Sequence, residues 1–134
     1  MSKNISKNVA LKSELINCFL ELLMTIKVYH WKTKSYSEHK ATDELYESLN
    51  ENIDKFVEVM LGKNSSRLNF KGKSIKFSDP NTKTQIKKII YDYRDLLELK
   101  INKYISIKHN TDLLNIRDEI LADLNQFLYL LTLK

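Results

Sequence analysis

Glycine and proline, the residues that most readily interrupt a helix, occupy only Gly62, Gly72 and Pro80 in this chain, and all three fall in one stretch. The segments on either side are free to run as helix, which predicts an all-α protein with one irregular segment near its middle. At 134 residues, 43% of them hydrophobic, one domain can bury a core without staples. The single cysteine, Cys18, excludes an internal disulfide and is expected to be a small buried apolar residue in a reducing compartment.

Apolar periodicity divides the chain further. Residues 1–7 read as a mobile polar tail ahead of a single domain over 8–134. From about Val9 the stripe Leu11, Leu15, Phe19, Leu22, Leu23 and Ile26 predicts a first helix ending at Tyr29 or Trp31. Lys32 to Ser37 reads as a short connector, and Ser37 to Met60 as a second helix with Leu45, Leu49, Ile53, Phe56 and Met60 inward. Between Gly62 and Pro80, Leu68, Phe70, Ile75 and Phe77 alternate with polar residues, which predicts a small β-hairpin or a packed extended crossover. A third helix is expected from Ser78-Asp79-Pro80 to about Lys108, and a fourth from Asn110 or Thr111 through Leu131. The long connection would let the second and third helices run parallel in a four-helix bundle.

The ligand-type residues concentrate on one stretch. His39 with Asp43, and Asp54 with Glu58, are spaced i,i+4, so each pair shares a helix face, and His30 lies just before the connector. Eleven residues separate Asp43 from Asp54, which brings both pairs onto the same face but ~16 Å apart along the axis. No single ion can be held by both. Two copies of the helix meeting antiparallel about a two-fold axis would set His39 and Asp43 of one against Asp54 and Glu58 of the other. Mixed imidazole and carboxylate ligands suit Fe, Zn or Mn better than Ca or Mg. From spacing alone the same acidic positions are more simply read as a solvated helix face, and a histidine beside Trp31 as a packed or hydrogen-bonded ring.

His30-Trp31, His39-x-x-x-Asp43 and Asp54-x-x-x-Glu58, together with the ending Asp123-Leu124-Asn125-Gln126-Phe127-Leu128-Tyr129-Leu130-Leu131, resemble the Dps family of DNA-protecting mini-ferritins. The resemblance implies a ferritin-like four-helix bundle with a long crossover between helices 2 and 3. It implies ferroxidase chemistry, with His30, His39 and Asp43 of one subunit and Asp54 and Glu58 of its two-fold mate holding iron for oxidation by hydrogen peroxide or dioxygen. It also implies iron storage in a homo-oligomer, from a dimer up to a dodecamer, and protection of DNA under oxidative stress. Lys3, Lys7 and Lys12 resemble the basic N-terminal extension with which some members hold DNA, against the plain reading of a solubilising tail. The connector after His30 lacks the family's glycine, which motivates the alternative of a structural or non-specific DNA-associating protein without turnover. A third reading gives the same ligands a structural zinc.

The rest of the chain narrows the field. No window of ~18 apolar residues and no signal-type apolar segment occur, so the protein is expected to be soluble and cytoplasmic. Its net charge of +5 permits polyanion binding without requiring it. Lysines at 32, 34, 71, 73, 76, 83, 87 and 88 add basic character near the loops, without aromatic interleaving that points to base stacking. His109 reads as a helix-end residue, and Asp118, Glu119 and Asp123 as a solvated acidic patch. Nucleotide-binding glycine loops and zinc-type cysteine pairs are absent.

Overall fold

The first apolar stripe folds as α1, Lys3–Lys32, in a computed structural model that describes the backbone of residues 3–64 and 67–134 and the side chains of 7–63 and 67–134. Helical backbone thus begins before the stripe does, within the stretch expected as a polar tail; residues 1–2 of that tail lie outside the described residues. From Leu11 to His30 no residue of α1 is exposed, so this is the central helix. Leu15, Phe19, Leu22 and Ile26 face the core, where Phe19 meets Phe56 edge-on at 5.4 Å between ring centroids.

The connector is shorter than expected, because α2 spans Tyr36–Asn64. Its start is set by Ser35, whose Oγ accepts from Glu38 N at 3.3 Å and whose carbonyl accepts from His39 N at 2.9 Å. The Glu38 side chain in turn accepts from the Tyr29 hydroxyl at 2.7 Å, which ties the new helix back to α1. Burial first, and then the bond to Glu38, push the Tyr29 phenol well above its usual range.

After α2, residues 67–82 run over α1 as an extended strap. Asn69 N donates to Ser13 Oγ (3.1 Å), Asn17 Nδ2 to the Ser74 carbonyl (3.1 Å), and Lys76 N to Glu21 Oε1 (3.4 Å). These anchors climb α1 in order and end where Lys32 pairs with Asp79. The β-hairpin alternative is therefore not the one adopted, since no strand occurs among the described residues. A turn at 70–73 closes with Lys73 N on the Phe70 carbonyl at 2.9 Å, and its third residue, Gly72, has φ +78°, where a Cβ would be strained.

Helix α3 spans Lys83–Leu99, later at its start than the expected opening at Ser78-Asp79-Pro80 and earlier at its end than its apolar stripe. Thr82 caps it, accepting from Gln85 N at 3.2 Å, while Gln85 Oε1 accepts from Asn81 N at 2.7 Å. Beyond Leu99 the chain tightens into a 3₁₀ turn, Ile101–Lys103, yet Ile101 and Ile105 stay buried. Periodicity at 101–105 reports burial, not the hydrogen-bond pattern. Helix α4, Thr111–Leu130, completes the set.

Named contacts give the helix directions. Tyr93 donates to the Cys18 carbonyl at 3.0 Å and Lys103 reaches Glu14 at 3.6 Å, so α3 runs against α1. Lys63, at the end of α2, bonds Asp112 (2.7 Å) and the His109 carbonyl (3.0 Å), while Ser48 and Asn52 donate to Asp123, so α4 runs against α2. Because α1 and α2 are an antiparallel pair, α2 and α3 point the same way. No helix among the described residues is long and apolar enough to cross a membrane.

Candidate functional site

The end of α1 and the first turn of α2 bring two of the five candidate ligands together. His30 and His39 stack with ring centroids 3.9 Å apart and planes inclined by 17°. Each ring bonds the other's backbone: His30 Nδ1 lies 2.8 Å from the His39 carbonyl, and His39 Nδ1 lies 3.0 Å from the His30 carbonyl. A carbonyl oxygen only accepts, so Nδ1 carries the proton on both rings and, in a neutral ring, Nε2 keeps its lone pair. His30 is 8% exposed and shares its Nδ1 proton with Thr42 Oγ1 at 3.0 Å, while the Thr42 hydroxyl donates to the Glu38 carbonyl at 2.8 Å. His39 is exposed.

Such a pair first of all clasps the α1–α2 corner. A ring nitrogen's lone pair lies in the ring plane, so two nearly parallel stacked rings cannot both aim at one ion until one of them turns. Only His39 is exposed and has a single hydrogen bond to give up. Trp31, expected either beside the site or packed at the helix end, is 68% exposed, with Lys27 Nζ 5.7 Å from its ring centroid.

Asp43, Asp54 and Glu58 are not brought to the histidines by this chain. All three are exposed on α2, which is unbroken from Tyr36 to Asn64, so the ~16 Å axial separation of Asp43 and Asp54 stands. Among the described residues, no three of His, Cys, Asp and Glu gather as ligands for an ion. The same face carries Glu44, Glu47 and Glu51, also exposed, and none of these six carboxylates is in an ion pair or side-chain hydrogen bond. Helix α2 holds seven acidic residues against three basic ones, a net −4, while the rest of the chain carries +9 of the overall +5.

Elsewhere the structure sharpens single residues. Cys18 is half-buried, and burial, then Glu21 and Glu14, push its thiol up, away from the reactive thiolate. Lys7 is exposed, Lys12 is half-buried with its pKa lowered by burial, and the Lys3 side chain lies outside the described residues. The Asp123 carboxylate is not simply solvated, since it accepts from Ser48 Oγ (2.7 Å) and Asn52 Nδ2 (2.8 Å) and so joins α4 to α2. Sequence reasoning missed the corner residues Thr42, Glu38 and Tyr29. Ser35-Tyr36-Ser37-Glu38 has the spacing of a capping box and was a readable signal for Glu38.

The class defined so far is a small all-α protein with a histidine-clasped helix corner and an unpaired acidic face. The chain belongs to a family of unknown function, DUF5856, whose model matches residues 30–131, from the first histidine of the corner to the end of α4. It is also 46% identical over 48 residues to an uncharacterized 14.6 kDa protein in the mobD-ri intergenic region of Enterobacteria phage T4; the match covers 33% of this chain and 38% of that protein. No solved structure matches. This membership overturns the resemblance to the DNA-protecting mini-ferritins. Its most specific residues, His39 with Asp43 and Asp54 with Glu58, have the i,i+4 spacing that an amphipathic helix with a polar outer face also presents.

Proposed function

We propose that two copies of the chain meet through the exposed face of α2 and hold divalent transition-metal ions between them. In this reading His39 and Asp43 of one copy face Asp54 and Glu58 of the other, and His30 supports the site by orienting the His39 ring. The observation that carries it is the row of exposed carboxylates without partners, with a histidine of fixed tautomer one turn from Asp43. Two such faces repel one another unless cations lie between them. The exposed ring of Trp31, at the same corner, supplies apolar surface for a second chain to cover. The proposal extends to a ferritin-like bundle, with residues 67–82 within the crossover between α2 and α3.

Iron is the first cation to test, with zinc and manganese as alternatives. Fe(II) would then be the substrate: two ferrous ions each give one electron to hydrogen peroxide, which takes up two protons and leaves as two water molecules. The test is anaerobic calorimetry with Fe(II), followed by peroxide consumption, on the wild type and on Asp54→Ala with Glu58→Ala. Expected are ferrous binding and turnover in the wild type and loss of both in the variant; unchanged binding in the variant sinks the proposal. The stacked histidines favour a second reading, a structural protein without turnover, and ferrous binding that is absent from the wild type would select it.

A further inference from the structure

The strap over α1 does not bury the side chains that its alternation led one to place inside. Leu68 is partly buried, but Phe70, Ile75 and Phe77 are exposed, Phe77 at 58%. Its inner edge is occupied by the backbone bonds to Ser13, Asn17 and Glu21, so the side chains are left outward. Between Arg67 and Ser78 there are four basic residues, Arg67, Lys71, Lys73 and Lys76, and no acidic one. None of the four is in an ion pair or side-chain hydrogen bond among the described residues. Two exposed aromatic rings thus sit within a run of unpaired cations on an extended backbone fastened to the central helix, which corrects the expectation that no aromatic residue interleaves these lysines.

We infer that this strap is a binding surface for single-stranded nucleic acid, with the lysines and Arg67 tracking phosphates and Phe70 and Phe77 stacking on bases. A polyanion is attracted by unpaired charge, and every base offers a π-face, so recognition would be tolerant of sequence. A duplex keeps its bases stacked inside and offers the two phenylalanines nothing beyond phosphates. An anionic membrane surface is the less favoured partner, because a lysine follows Phe70 and another separates Ile75 from Phe77, so no continuous apolar face forms to insert. The turn at Gly72 gives Lys71 and Lys73 a fixed place on the strap. The inference does not rest on metal binding by α2 and stands or falls separately.

The test is fluorescence anisotropy of a labelled oligothymidylate against the full chain, beside a duplex of equal length and phosphatidylserine vesicles. Expected is binding at low salt that weakens about 50-fold from 50 to 200 mM salt, as ~4 phosphate contacts to a single strand predict. Phe70→Ala with Phe77→Ala, at exposed positions that leave the core untouched, should weaken it about thirtyfold without changing the salt slope. Lys71→Ser, Lys73→Ser and Lys76→Ser together should flatten the slope. No binding to the oligonucleotide at 50 mM salt, equal affinity for the duplex, phenylalanine-dependent binding to the vesicles alone, or indifference to both variants would each overturn the inference.

Discussion

His30 shows how a single side chain can be conspicuous in sequence for one reason and placed in the fold for another. Its buried ring satisfies the His39 carbonyl and Thr42 Oγ1, so His30→Ala removes a buried donor and opens a small void. The expected cost is ~1–3 kcal/mol. His39→Ala, at an exposed ring with one bond, should cost less than half as much, and urea unfolding of the two variants at one pH compares them directly. Gly72→Ala introduces a Cβ at φ +78°, where nothing crowds it but the conformation itself costs ~1 kcal/mol. The residue types of the five candidate ligands were legible in the sequence; the pairing of two of them was not. It depends on a three-residue connector, Thr33–Ser35, that lets each ring reach across to the other's carbonyl. Phe70 and Phe77 mislead for a related reason, since alternation predicts an inner face only where a second layer exists to cover it.

At the scale of elements, periodicity announced the four helices but not their ends. Helix α3 begins where Thr82 can cap it, three residues after Asp79 takes a positive φ of 48° ahead of Pro80, and not at the first capping-type residue of the region. Thr82→Ala should therefore cost ~1 kcal/mol and fray the first turn, measurable as faster amide exchange at Gln85. The junction of α2 and α4 carries a pH signature. Lys63 bonded to the Asp112 carboxylate holds that group below its usual range, together with the Leu113 N–H. A lowered folded-state pKa stabilises the fold at pH above the ordinary carboxylate value, and that stabilisation is lost as pH falls through the folded value. Denaturation midpoints should therefore drop on acidification in the wild type, and this part of the drop should shrink in Asp112→Asn. Neither partner is conspicuous in sequence, because the bond depends on the exact end of α2 meeting the exact start of α4.

Across the whole molecule the charges are sorted: α2 is net −4 while the rest of the chain is +9, and the strap alone carries four of the cations. That asymmetry makes salt a discriminating variable. If two α2 faces meet, their carboxylates repel in the absence of metal. Salt at 0.5 M, where screening acts within ~5 Å, should then raise self-association in the presence of a chelator. Adding Zn(II) at low salt should have the same effect, because cations between the faces replace the screening. Asp54→Asn with Glu58→Gln should weaken the response to salt and abolish the response to metal. Had the acidic face of one copy met the basic strap of another, the sign would reverse, since opposite charges attract most strongly in dilute salt. Sedimentation at 20 mM and 500 mM salt, with chelator and then with metal, reads the two signs separately. Association that falls with salt in the metal-free protein would exclude the α2–α2 contact and with it the shared site.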